Sequence, residues 1–213
     1  MERIISILIG YAFGLFQTGY IYGMMNHVDI RKHGSGNAGT TNALRTLGWK
    51  AGVITFIGDC LKCVLAIIVV RLIFAESEIV SLLAIYAGLG AVLGHNFPFY
   101  LNFNGGKGIA ATAGLILAIH PVMFLIVAVV FITIVWFTQY VSLGSLVIML
   151  LFVLEVIIYG QMGGLGLAVP ELYEFYGIAV ILAALAFYRH RANIKRLLTG
   201  TENKTDLRKI GKK

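Results

Sequence analysis

The chain has 213 residues, of which 59% are hydrophobic and only 13% charged. A soluble globular domain carries about a quarter charged residues, so this composition, with a mean hydropathy of +0.87, excludes that class and points to a membrane protein. The 17 Lys and Arg against 10 Asp and Glu give a net charge of +7, which suits nucleic acid, anionic lipid or phosphorylated small molecules until the position of the charges is considered.

A bilayer crossing needs about 20 apolar residues. The first such run, Ile4–Met25, follows Arg3 but is long and lacks a small-residue cleavage site, so it reads as a span and not as a removable signal peptide. The polar segment 33–50 (HGSGNAGTTNALRTLGWK) comes next. In it, Gly34, Ser35, Asn37, Gly39, Thr41 and Asn42 precede a helix-compatible stretch, Ala43–Leu47. Permissive glycines beside a helix start can aim backbone N–H groups at an anion, and Arg45 adds a guanidinium suited to phosphate. A solvated linker that caps a helix accounts for the segment equally well.

The second span, at about 52–74, holds Asp59 and Lys62 three residues apart, spaced to pair on one helix face. Intramembrane charges are functional by default, yet a structural brace is the reading we favour here. Cys60 and Cys63 form a CxxC with no second pair and no nearby His, which argues against zinc or redox chemistry. The third span, at about 80–98, ends in His95, and a single histidine there is more often a structural hydrogen-bonder than a catalyst.

Segment 102–108 (NFNGGKG) contains Gly105, Gly106, Lys107 and Gly108. It resembles a phosphate loop, but Ile109 and Asn102 stand where GxxxxGK[ST] needs a Ser/Thr and a Gly, so a Walker nucleotide site is rejected. Lys107 reads either as a point charge for phosphate or as a snorkelling anchor. The apolar run 108–138 is interrupted by His120-Pro121, and we expect two short helices of about 12 to 17 residues each, or roughly 18 to 26 Å. Segment 139–145 (QYVSLGS) brings Ser142 and Ser145, which as isolated serines can be simply a helix start. Spans at about 142–160 and 173–190 follow, then HRANIKRLLTGTE with His190, Asn193 and Glu202, and a basic tail over 203–213 expected to be flexible. His190 and Asn193 share a helix face.

Basic residues follow both the first and the last span, so the positive-inside tendency puts both segments in the cytoplasm. That requires seven crossings, with the N-terminus outside, the C-terminus cytoplasmic, and the loop acids Glu76, Glu78, Glu171 and Glu174 outside. The expected fold is all-α, a single polytopic membrane helix bundle over residues 1–213, with all four glycine-rich polar segments at one membrane face. A transporter would more typically place polar groups near the midplane on broken helices. A lipid-binding scaffold would depend on the tail, whereas an enzyme should tolerate deletion of 203–213.

Together, GSGNAGTTNALRTLG, GHNFPFYLNFNGGKGIAAT, VSLGS and HRANIKRLLTGTE resemble, in order and spacing, the signature segments of the acyl-phosphate:glycerol-3-phosphate acyltransferases, the PlsY type of bacterial membrane enzyme. The resemblance runs from about Ile4 to Glu202. It implies a seven-span protein of the bacterial inner membrane that transfers a fatty acyl group from acyl phosphate to the sn-1 hydroxyl of glycerol 3-phosphate, giving lysophosphatidic acid. It implies catalytic roles for Ser35, Arg45, Lys107, His190 and Asn193. Substrate-binding positions would be Gly34, Asn37, Gly39, Thr41, Asn42, His95, Gly105, Gly106, Gly108, Ser142, Ser145 and Glu202. No cofactor, metal or nucleic acid is expected; the partners are the two substrates and membrane lipid, and a monomer suffices. Two departures are visible, Asn104 where a lysine often precedes GGKG and Cys63 where a glycine often follows the span lysine. An acyl phosphate is a mixed anhydride with a good leaving group, so no covalent nucleophile is needed. No histidine begins an HxxxxD, which argues against a thioester donor.

Overall fold

The structure, a computed structural model, describes residues 1–205. Among them are ten α-helices, and no strand: α1 (Glu2–Gly14), α2 (Thr18–Met25), α3 (Thr40–Leu47), α4 (Trp49–Ile73), α5 (Val80–Asn96), α6 (Ile109–Ile119), α7 (Pro121–Thr138), α8 (Val141–Gln161), α9 (Val169–Arg189) and α10 (Arg191–Leu198). Among the described residues six segments are long and apolar enough to cross a membrane: Glu2–Met25, Trp49–Ile73, Val80–Leu101, Pro121–Thr138, Val141–Gln161 and Val169–Arg189.

The run 108–138 does divide at His120, but unequally. Extended backbone at His120 (φ −156°) ends α6, and Pro121 at the first position of α7 suits a helix start because its missing N–H would be unpaired there anyway. α7 has 18 residues and is long enough to span; α6 has 11, or about 16 Å. The short helix is a core element: Ala111 and Leu115 are fully buried, and Gly114 lies against the backbone of Cys60 in α4.

The first span differs from its expected form. It breaks between Gly14 and Thr18, where buried Gln17 donates from Nε2 to the carbonyls of Gly14, Gly94 and His95. The amide satisfies the Gly14 carbonyl, which the break leaves free, and two carbonyls in the last turn of α5, as apolar surroundings require. α1 packs closely on α5, with Gly10 and Gly14 against the backbone of Ala87 and Ala91, the small-residue contact that lets membrane helices approach. At that end of the bundle Arg3 makes a two-bond pair with Glu174, at 2.6 and 2.8 Å, and Tyr86 also donates to Glu174. Glu171 and Glu174 thus belong to α9, not to a loop.

The large core cluster lies among α4, α5, α6, α7, α8 and α9, around Phe152, Phe175, Leu115 and Ile67. The polar segments 30–48, 97–108 and 190–205, with the α7–α8 turn, collect at the opposite end from Arg3 and Glu174. Of the basic tail expected over 203–213, residues 206–213 lie outside the described residues. Residues 203–205 are anchored: Thr205 N–H donates to Gln139 O at 2.8 Å.

Candidate active site

These segments enclose a cavity of about 260 Å³. Fourteen of the residues expected from the motifs line it: Ser35, Asn37, Gly39, Thr41, Asn42, Arg45, His95, Lys107, Gly108, Ser142, Ser145, His190, Asn193 and Glu202. Gly34, Gly105 and Gly106 do not.

Several of the lining groups are already engaged. Asn42 is a loop brace: its Oδ1 accepts from Ser35 N–H at 2.8 Å, and its Nδ2 donates to Ile30 O at 2.7 Å and His33 O at 3.1 Å. Gly34 sits behind that amide. Asn37 folds its own loop through Gly39 N–H and reaches Gly105 O. Ser145 bonds back to Val141 O within α8, whereas the buried Ser142 hydroxyl has no protein partner among the described residues.

The glycine pair differs from a phosphate cradle. Gly105 N–H and Gly106 N–H donate to Asn96 O and His95 O, the last carbonyls of α5, at 3.2 and 3.0 Å. Arg189 then grips both glycine carbonyls, at 3.1 and 2.8 Å. These two N–H groups are therefore spent on closing the helix end, and their occupation removes them from anion binding. A Cβ at Gly106 would overlap the His95 ring, so glycine is what lets the imidazole sit there.

Lys107 stands at one end of a chain of contacts. Its Nζ donates to Asn193 Oδ1 at 2.5 Å; Asn193 Nδ2 donates to Glu202 Oε1 at 2.8 Å; Arg196 Nε donates to Glu202 Oε2 at 2.7 Å. Burial lowers the Lys107 pKa to about 8; Glu202 opposes that fall, and Arg196, Arg189 and Arg45 add to it. Arg45 donates to Thr205 Oγ1 and to Asn203 O. Both cations are thus held by neutral oxygens, while Arg196 takes the carboxylate.

His190 is 3% exposed. Its Nδ1 lies 2.8 Å from Ala186 O, which can only accept, so Nδ1 carries the proton and Nε2 keeps a lone pair. Burial, reinforced by Lys107, brings its pKa down to about 4, which keeps the ring neutral. His95 is held from the other side, with Nδ1 2.8 Å from Lys62 Nζ. The expected Asp59–Lys62 pair is present at 2.8 Å, and both side chains are buried.

The cavity also has an apolar wall of Phe56, Ile109, Ala110, Phe131, Val135 and Val141. The motifs do not reveal that wall, nor Arg196 and Thr205 as participants. Phe131 and Val135 are four residues apart on a helix apolar all round, where sequence cannot tell a cavity face from a lipid face. Among the described residues no group of three or more His, Cys, Asp or Glu is placed to hold a metal.

Comparison with known proteins agrees with the motif resemblance. A family described as glycerol-3-phosphate acyltransferase matches residues 4–200. The protein named glycerol-3-phosphate acyltransferase of Clostridioides difficile (strain 630) is 44% identical, covering 99% of this chain and 96% of that one. Its namesake in Alkaliphilus metalliredigens (strain QYMF) is 39% identical, covering 100% and 98%. Two crystal structures of PlsY, described as an integral membrane glycerol 3-phosphate acyltransferase, superpose with a TM-score of 0.84. The glycerol 3-phosphate form is 33% identical over 99% of this chain and 98% of its own, and the lysophosphatidic acid form 31% over 100% of both.

Proposed function

The chain belongs to the glycerol-3-phosphate acyltransferase family, and we propose that it makes lysophosphatidic acid by transferring a fatty acyl group from acyl phosphate to the sn-1 hydroxyl of glycerol 3-phosphate. The observation that carries this reading is that Arg45 and Lys107 enter one cavity bonded to neutral oxygens only, opposite an apolar wall. Cations with uncompensated charge suit two phosphate groups, and Phe56, Phe131 and Val135 suit an acyl chain arriving from the bilayer.

The reaction needs no acyl-enzyme. The glycerol hydroxyl oxygen forms its bond to the acyl carbon, the bond from that carbon to the phosphate oxygen breaks, and the hydroxyl proton passes to a phosphate oxygen. Arg45 and Lys107 hold the phosphates and balance charge as it moves to the leaving group. The lone pair on His190 Nε2 accepts the hydroxyl's hydrogen bond and aims it. A pKa near 4 makes this ring a weak proton acceptor and fits it better to orienting than to general-base work. Asn193 and Glu202 keep Lys107 in place, and Ser35, Thr41, Gly39, Gly108 and Ser142 line the remaining space.

In the membrane, this reading gives seven crossings, with α6 as the short one, the N-terminus outside, and the cavity open to the cytoplasm of a bacterial inner membrane. The polar segments at one end support it, since glycerol 3-phosphate is water-soluble and must enter from water. A monomer contains every group invoked. The deciding experiment gives purified protein palmitoyl phosphate and labelled glycerol 3-phosphate. Lysophosphatidic acid is expected; no product, or product only with an acyl thioester, overturns the donor assignment.

A further inference from the structure

We propose that Lys62 and Asp59 are positioning residues that hold His95 as its neutral Nε2–H tautomer, making it a hydrogen-bond donor to the acyl donor. The inference rests on the acyl-phosphate reading for the identity of that ligand, but the tautomer follows from geometry alone.

The Lys62 ammonium has three N–H donors and no acceptor. Three acceptors surround it: Phe16 O at 2.7 Å, Asp59 Oδ1 at 2.8 Å and His95 Nδ1 at 2.8 Å. The Phe16 carbonyl is free to accept because it lies in the break between α1 and α2. Asp59 is tied in turn by Thr18 Oγ1 at 3.1 Å, and its distance of 3.7 Å from His95 Nδ1 is too long for a hydrogen bond. Nδ1 therefore faces a donor and must present a lone pair. A protonated Nδ1 would point a positive N–H at an ammonium in a site where Lys62 is 4% and Asp59 1% exposed. The neutral ring then has its hydrogen on Nε2.

That nitrogen is left without a protein partner. His95 lines the cavity, and among the described residues its Nε2 has no hydrogen-bond partner. It abuts Gly106, where any side chain would take its place. The glycine pair is fixed there by the α5 carbonyls and by Arg189.

The two cavity histidines thus have opposite characters, His190 an Nε2 acceptor and His95 an Nε2–H donor. A nucleophilic hydroxyl has a hydrogen to give and matches His190. The carbonyl and phosphate oxygens of an acyl phosphate can only accept at neutral pH, and they match His95. Position agrees: His95 lies 3.7 Å from Asp59 of α4 and lines the same cavity as Phe56 of α4 and Ile109 and Ala110 of α6, apolar residues that suit an acyl tail. Cys60 Sγ, bonded to Ala110 O at 3.0 Å, fixes α4 against the start of α6 there.

The test is nitrogen NMR of protein labelled with ¹⁵N-histidine, reconstituted in lipid, with the His95 signal assigned from its loss in His95→Gln. The wild type is expected to show protonated Nε2 and unprotonated Nδ1. The double variant Asp59→Asn/Lys62→Met, which leaves no unpaired buried charge, is expected to lose that preference. Its kcat/KM for palmitoyl phosphate should fall by about 100- to 1,000-fold, the scale of one lost donor at a developing charge, with the KM for glycerol 3-phosphate unchanged. A wild-type ring protonated at Nδ1 overturns the proposal, as does a double variant with wild-type tautomer and rate. If the variant does not fold, a wild-type ring protonated at Nδ1 still overturns the proposal. Absence of transfer from acyl phosphate in the wild type would instead count against the donor assignment, and the spectrum separates the two failures.

Discussion

Arg45 and Thr205, 160 positions apart, share two hydrogen bonds: Arg45 Nη2 and Nε donate to the same Thr205 hydroxyl oxygen at 2.6 and 3.2 Å. Asn203 O takes a further bond from Nη2, and Thr205 N–H is itself tied to Gln139 at the turn between α7 and α8. One edge of the guanidinium is thereby fixed, while Nη1 keeps its N–H groups free of any partner among the described residues. The contact prepares Arg45 for phosphate instead of competing with it.

Thr205→Val should raise the KM for glycerol 3-phosphate by about tenfold, one hydrogen bond to a charged group, with kcat little changed and Thr205→Ser restoring the wild-type value. Truncation after Thr205 should be silent, and removal of 203–213 should not. That last outcome revises the tolerance expected from sequence for the whole tail. A lowered KM in Thr205→Val would mean that the contact is a latch.

Lys107 predicts a pH dependence. Its pKa is depressed to about 8 by burial first, so the free enzyme carries the full charge at pH 6.5 and loses it as pH rises through about 8. The kcat/KM for glycerol 3-phosphate should fall across pH 7 to 9, and Lys107→Arg, if active, should flatten the decline, because a guanidinium stays charged there. A wild-type profile level to pH 9.5 would contradict the depressed value.

His190 is shifted in the same downward direction, with the opposite consequence for the working range. Its pKa of about 4 leaves the ring neutral throughout pH 5.5 to 7.5, so no inflection near 6.5, the ordinary histidine value, should come from it. His190→Ala should raise the KM for glycerol 3-phosphate about tenfold while kcat changes little. His190→Gln, whose amide oxygen can accept, should recover part of the loss. A fall of about 10² to 10⁴ in kcat at unchanged KM would assign it general-base catalysis instead.

Gly106→Ala should abolish most activity while the protein still folds. The added methyl would meet the His95 imidazole, displacing the ring or the loop on which Lys107 follows directly. A shift of about 1 Å in a positioned group costs about 10² in rate. Activity within a factor of two of wild type, alongside an unchanged melting temperature, would show that the loop can yield without cost.

The legible parts of this fold were those written as local pattern. Long apolar runs marked the spans, and His120-Pro121 marked the division between α6 and α7. Ser35, Arg45, Lys107, His190 and Asn193 lay in polar segments whose gathering followed from where the spans left them. Features that depend on tertiary partners were hidden. The break near Gln17 needs carbonyls from α5, 77 and 78 residues away. Gly105 and Gly106 read as a phosphate loop, because a glycine pair gives the same signal whether its N–H groups face an anion or the end of a helix. Thr205 carries no local signal; its role exists only where the chain returns to Arg45.

Glu155 gives the last prediction. It lies in the middle of α8 at 9% exposure, and neither carboxyl oxygen has a partner among the described residues. A polar group buried without a partner costs about 1 to 3 kcal/mol, and it is not part of the cavity wall. Its nearest turns carry Phe152 and Val156, both fully buried in the apolar core. Glu155→Leu replaces the carboxyl with a group of similar volume that these neighbours can pack against, so it should raise the thermal midpoint in detergent and leave acyl transfer unchanged. A lowered midpoint would mean that the carboxyl has a stabilising partner in the membrane, and Glu155→Gln would then separate the need for charge from the need for a hydrogen bond.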